Sequence, residues 1–279
     1  MSYRDVLLPV LAYPDPVSPG PVRATFDLAK QFGASLTAAL LDLDPHRSAW
    51  PSSFGIGLAN VSGLIAEALA QSRENSRKAV EHIKAEALRT FVSTNLVHEA
   101  TMIFPSASPI VERAKLHDLT VLPTAWGFDR RFAEAIIFGS GSPVLLLPDE
   151  RDYLRLDTVA VAWDFTLAAS RALRASLPLL SKAGKVRIFT VVNEKEDTAG
   201  KTIEDLQRHL SEHKVSFVYD EVDIAGRSIG DAFRGYAQNT HADILVMGAF
   251  GHSRVREFVL GGATQSMLAN ASLPVLLAH

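Results

Sequence analysis

The stretch Ala242 to His279 sets the strictest limits on the fold. Asp243 opens a short apolar run, Ile244 to Met247, too brief for a helix and continuous enough for a strand buried on both faces. Gly248 and Gly251 follow directly, so the chain turns at the carboxyl end of that strand. Gly261 and Gly262 then open an amphipathic segment that runs to about Asn270, and Pro274-Val-Leu-Leu reads as one more buried strand. A parallel strand, a glycine loop and a helix N-terminus in that order make a place where anions bind. Backbone N–H groups approach a phosphate there because no Cβ stands in the way.

Upstream, the same kinds of segment alternate. Strands are expected at Val6 to Leu11, Ser35 to Leu43, Val97 to Ile103, Leu119 to Pro123 and Val144 to Leu147. Helical spacing falls at Val22 to Phe32, with Gly33 as its C-cap, and at Ile110 to Lys115. A long helix from Ser62 to Leu88 carries Val61, Leu64, Ala68, Ser72, Ala79, Ile83 and Ala87 on one stripe. A short connection without its own element is expected before the fifth strand. The pattern then repeats: strand Arg155 to Ala162, helix Thr166 to Ala183, strand Val186 to Val192, helix Thr202 to His213, strand Val215 to Ile224, helix Ser228 to Asn239. Ser228 and Asp231 suit a capping box. Aligning Asp118-Leu-Thr-Val-Leu-Pro with Asp243-Ile-Leu-Val-Met-Gly predicts two copies of one βα unit. The expected domains are 1–150 and 151–279, joined at Asp149 to Leu154. Each is an α/β open parallel sheet of the Rossmann-like kind.

The copies differ at the loop. Pro123 stands where Gly248 does, and the segment between the glycines is missing from the first copy. Gly139 and Gly141 come too late to replace it. Ala12 is expected opposite Asp164. The first copy therefore keeps the fold and loses the site.

Spacing adds more than the glycine count. Gly248, two residues, Gly251, nine residues, Gly261 and then Gly262 resembles the ATP loop of the universal stress protein family, with Thr264, the Pro274-Val-Leu-Leu strand and Asp164 extending the likeness. The resemblance covers nearly the whole chain and implies a tandem form, two adenine nucleotide alpha hydrolase-like domains. It implies that Asp164, Val191 and Val192 lie near the adenosine. The phosphates would lie on Gly248, Gly251, Gly261, Gly262 and Thr264, with Met247, His252 and Ala263 completing the binding residues. The cofactor would be ATP, ADP or AMP with Mg²⁺, held mainly by the phosphates. Two departures from the family pattern stand out: Gly262 replaces a Ser or Thr, and Phe165-Thr166 replaces Gly-Ser after the Asp. Asp164 alone would read as a helix N-cap, and Val191 and Val192 alone as core. Arg254 or Arg256 could reach a phosphate.

Composition and motifs exclude several other functions. The formal net charge of −3 gives no electrostatic footprint for nucleic acid. There is no cysteine, which removes disulfides, thiolate metal sites and a cysteine nucleophile. No apolar run approaches membrane-spanning length, Met1 leads straight into a strand, and a cytoplasmic protein without membrane contact is expected. Neither G-x-x-x-x-G-K-[ST] nor a G-x-S-x-G elbow occurs, and the nine histidines read as scattered. The expected function is regulatory nucleotide binding in a stress response, with no visible catalytic base. A slow ATPase and a nucleotide-free interaction module are the rivals. The halves are expected to pack as an intramolecular pseudo-dimer through Val144 to Leu147 and Val275 to Ala278, with a homodimer of tandem chains as a further option.

Overall fold

The computed structural model describes residues 2–44, 61–102, 106–124, 130–192, 203–249, 262–269 and 272–279. It divides into two compact units, one of residues 3–140 and 149–153, the other of 1–2, 141–148 and 154–279.

In the unit of residues 3–140, four parallel strands run in the order β3 (Thr94–Thr101), β2 (Ser35–Leu43), β1 (Asp5–Leu11) and β4 (Leu119–Pro123). Val6 pairs with Leu36 on one side and with Leu119 on the other. Helices α1 (Pro19–Phe32), α2 (Val61–Thr90), α3 (Ser108–Ala114) and α4 (Arg130–Gly139) connect or follow the strands. Central β1 is apolar on both faces because helices cover both, as a parallel sheet requires. Helix α1 stops as its sequence predicts: Gly33 takes φ +64° and its N–H reaches the Lys30 carbonyl at 3.1 Å.

Several expectations need correcting. Helix α1 begins three residues earlier than predicted, because Pro19 and Pro21 fall in its first turn, where a missing N–H costs nothing. Strand β3 runs from Thr94 to Thr101, not Val97 to Ile103; it alternates half-buried and exposed residues, a weaker signal than an apolar run. On α2, Ala68, Ser72, Ala79 and Ile83 are buried as expected, but Leu64 is exposed and Glu86 is buried instead. Helix α4 stands where only a connection is expected. Its Phe132, Ala133, Ile136 and Ile137 have helical spacing and are buried, and Gly139 lies against Val111 of α3.

The other unit contains β5 (Val144–Leu147), β6 (Thr158–Ala162), β7 (Lys185–Val192), β8 (Val218–Asp223), β9 (Ile244–Gly248) and β10 (Val275–Ala278). Their order is β5-β10-β9-β6-β7-β8. All neighbours are parallel except β5, which runs antiparallel to β10 with Leu276 facing Leu145. The helices are α5 (Leu167–Leu180), α6 (Ile203–Glu212), α7 (Ile229–Asn239) and α8 (Gly262–Ala269). The cap predicted for α7 is present: Ser228 Oγ accepts from the Asp231 N–H at 3.1 Å and donates to its carboxylate at 2.6 Å.

One device occurs in both units. Asp118 Oδ2 accepts from the backbone N–H groups of Arg4 and Asp5 at 2.7 and 3.1 Å. Asp243 Oδ2 accepts likewise from Thr158 at 2.8 Å. Each aspartate stands just before its strand and fixes the start of the neighbouring one.

Candidate nucleotide site

Strand order places the site. From β6 the chain moves outward to β7 and β8, then returns through α7 to β9 on the other side of β6. The order reverses between β6 and β9, and crevices in open α/β sheets lie outside the carboxyl ends of strands at such a point. Register aligns those ends: Val161 pairs with Val246, Ala162 with Phe189, and Ala278 with Gly248. Asp164, Val191, Met247 and Gly248 thus share one edge of the sheet.

Asp164 is exposed just beyond β6. Its Oδ1 accepts from the Thr166 backbone N–H at 3.0 Å and from the Thr166 hydroxyl at 2.6 Å. Asp164 is therefore not the cap of α5. Thr166 is, its Oγ1 accepting from the Ala169 N–H at 3.1 Å. Asp164 instead holds the capping hydroxyl in place. Between them Phe165 adopts φ +61° and packs edge-on against Trp163, with ring centroids 5.6 Å apart. The bulky residue in the Asp-Phe-Thr turn is turned to the side of Trp163.

The two valines differ. The Val192 carbonyl accepts from Ile224 at 3.2 Å, so it is engaged on the β8 side. Phe189 accepts from Trp163 on the β6 side, and alternation along the strand turns the Val191 backbone the same way. Of the two, Val191 has its polar backbone groups nearer Asp164. Both side chains are half-buried.

Gly248 has a reason of its own. A Cβ placed there would stand 2.6 Å from the carbonyl carbon of Ala168 and 2.7 Å from the Ala169 nitrogen. Glycine lets the end of β9 meet the first turn of α5. Met247 beside it is buried.

Gly262 is the first residue of α8, exposed, and a Cβ there would meet no atom within 4 Å. Ala263 is half-buried. Thr264 is only 2 % exposed. Helix α8 is held against α7 where Gly230 admits Ser266, and Arg234 donates to the Ser266 hydroxyl and, at 3.4 Å, to its carbonyl. Gly251, His252, Gly261, Arg254 and Arg256 lie outside the described residues.

The first unit differs at the equivalent edge. Equating the pairs Val6–Leu119 and Val159–Ile244 sets Leu11, not Ala12, at the position of Asp164. Both are buried and apolar. Beyond them the backbone is occupied by α2: Asn75 donates to the carbonyls of Ala12 and Pro14 at 3.1 and 3.2 Å, and Gln71 to Pro14 at 2.8 Å.

A cleft of about 440 Å³ beside β8 and α7 contains none of the predicted site residues. Its central polar groups are paired with each other. Arg187 bonds Asp220 at 2.7 Å, and the Tyr236 hydroxyl donates to the same carboxylate. The histidines are less scattered than the sequence suggests. His209 and His213 stand four apart at the end of α6, with ring centroids 5.0 Å apart, and the i, i+4 interval is the signal that reveals them. Among the described residues no helix is long and apolar enough to cross a membrane, and no group of three or more His, Asp or Glu could hold a metal.

Comparison with known proteins agrees with this architecture. Residues 156–279 match the model of the universal stress protein family. The universal stress protein Slr1230 of Synechocystis is 29% identical over 152 residues, which is 51% of this chain and 49% of that protein. The chain thus spans about half the length of that relative. Among solved structures, a universal stress protein from Archaeoglobus fulgidus superposes with a TM-score of 0.68 at 17% identity, covering 98% of this chain and 97% of that one. A functionally unknown protein from Pseudomonas aeruginosa PAO1 superposes at 0.55 with 12% identity, covering 99% and 92%. These two establish a shared α/β fold. Residues 156–279, in the second half of the chain, are thus the part that matches the universal stress protein family.

Proposed function

We propose that the unit containing residues 154–279 binds an adenine nucleotide, ATP, ADP or AMP, as a regulatory ligand. The observation that carries the reading is the exposed Asp164 at the reversal point of the strand order, aligned with the ends of β7 and β9. With Oδ1 committed to Thr166, the second carboxylate oxygen is the acceptor a ribose hydroxyl would use. The Val191 backbone is the group suited to the adenine edge. The phosphates would lie toward the first turn of α8, where the helix dipole favours negative charge. Mg²⁺ would accompany them on phosphate oxygens.

At the matching position of the first unit Leu11 replaces Asp164, and α2 side chains take the carbonyls beyond it. That unit serves instead as the structural half of a tandem chain. The role is binding rather than turnover.

Calorimetry with ATP and ADP tests this. One site per chain is expected, and nucleotide should appear by mass spectrometry of gently denatured protein. Two sites, or none at millimolar nucleotide, would overturn it.

A further inference from the structure

We infer that His209 and His213 form a surface site for a borderline-soft divalent transition ion such as Zn²⁺, Ni²⁺ or Cu²⁺. His209 lies in the last turn of α6 and His213 in the turn that directly follows it, and the two imidazoles meet there. Their ring centroids are 5.0 Å apart and the planes are inclined at 69°. Two imidazoles ligating one tetrahedral ion at metal–nitrogen distances of about 2.0–2.1 Å place their centroids about 5 Å apart. The observed separation is therefore close to the one that a shared ion needs. Both residues are exposed, so an ion reaches them without any opening of the fold.

Two further features favour a cation here. The pair sits at the carboxyl end of α6, the negative end of the helix dipole. The backbone under the pair is also fixed. His213 donates to Leu210 at 3.0 Å, Lys214 to Ser211 at 2.9 Å, and Val215 to Leu210 at 3.0 Å. Buried Leu206 and Leu210, each three residues before one of the histidines, anchor the helix beside the pair. The imidazoles thus project from a framework that does not have to order when the ion binds. No group of three or more candidate ligands occurs among the described residues, so the site supplies two nitrogens and leaves its other positions to water. This chemistry selects ions that prefer imidazole over hard cations such as Mg²⁺ and Ca²⁺. It is independent of nucleotide binding.

The test is calorimetric titration of the full chain with ZnCl₂ and NiCl₂, beside His209→Gln and His213→Gln. Both substitutions are at exposed positions, and circular dichroism checks that each variant is folded. A stoichiometry of one ion per chain is expected, with affinity falling roughly tenfold or more in either variant. Zn²⁺ should also raise the midpoint of thermal unfolding in the parent and not in the double variant, since an ion that binds the native state stabilises it. Absence of binding to the parent would overturn the inference. So would binding that both variants retain, which would place the ion on other histidines.

Discussion

Gly248 and Ala168 meet backbone to backbone: a Cβ on the glycine would stand 2.6 Å from the carbonyl carbon of Ala168 and 2.8 Å from its Cβ. The contact joins the end of β9 to the first turn of α5. Gly248→Ala forces one element to move, and overpacking of this kind costs about 1–3 kcal/mol. Urea denaturation should show that loss with or without nucleotide. A variant as stable as the parent would mean that the two elements separate easily.

Gly262 presents the opposite case. Nothing stands within 4 Å of a Cβ there, and the residue is in ordinary helical conformation. Gly262→Ser should leave stability unchanged or slightly raised. In the proposed site its hydroxyl would donate to a phosphate oxygen, a charge-assisted bond worth about 1.5–3 kcal/mol. Calorimetry should then read roughly ten- to a hundredfold tighter ATP binding. Equal affinity would place the phosphates away from the start of α8.

Asp164 and Thr166 separate binding from stability. Asp164→Asn keeps an oxygen for the Thr166 bonds but removes the charge and one acceptor. Nucleotide affinity should fall while the unfolding midpoint moves little. Thr166→Ala removes the cap of α5 and should cost about 1 kcal/mol of stability. Reversed outcomes would exchange the two roles.

The paired aspartates before β4 and β9 predict an asymmetry. Asp243 bonds Thr158 in a part-buried setting, so Asp243→Ala should cost about 1–3 kcal/mol. Asp118 bonds Arg4 and Asp5 at an exposed site, so Asp118→Ala should cost about 0.5–1.5 kcal/mol. Chemical denaturation of the two variants gives the order directly.

Tyr236 predicts an alkaline limit. Burial first, and then the Asp220 carboxylate, push its phenol up to about 12 from the usual 10.0. A raised folded-state value means that the contribution is complete below pH 10.0 and lost as pH rises through about 12. Burial raises Tyr3 as well, so the parent carries both effects. The difference in urea midpoint between the parent and Tyr236→Phe, followed from about pH 9 to 12, isolates Tyr236. No change in that difference across the range would remove it as a determinant.

Much of the fold is legible in the sequence because fully buried parallel strands leave apolar runs, as at β1, β4 and β9. Strand β3, with alternating exposure, gives a weaker signal and lies three residues before its expected start. Helix α4 is hidden between a stretch of mixed composition, Ala125 to Asp129, and the glycines at 139 and 141, which read as loop. At the site, the glycine spacing is visible but not the separate reasons behind it. Gly248 answers to packing against α5, and Gly262 to no steric demand at all. Thr166 rather than Asp164 caps α5, because which of two nearby side chains reaches the Ala169 N–H depends on the left-handed turn at Phe165. That turn has no signature in a non-glycine residue.

Strand β5 precedes the family match at residues 156–279, yet it lies in the same compact unit as that match and hydrogen-bonds along β10. A gene fragment cut at the start of the match would encode five of this unit's six described strands and leave β10 as a raw margin. Leu276 and Leu277 would lose the neighbours Leu145 and Val144, and their backbone amides would be open to any extended chain. The inheritable module and the folding module are therefore offset along the chain. Truncations, grafts and recombination breakpoints that keep Gly141 to Pro148 with the later residues retain the cover on β10, and those drawn at the homology boundary should self-associate.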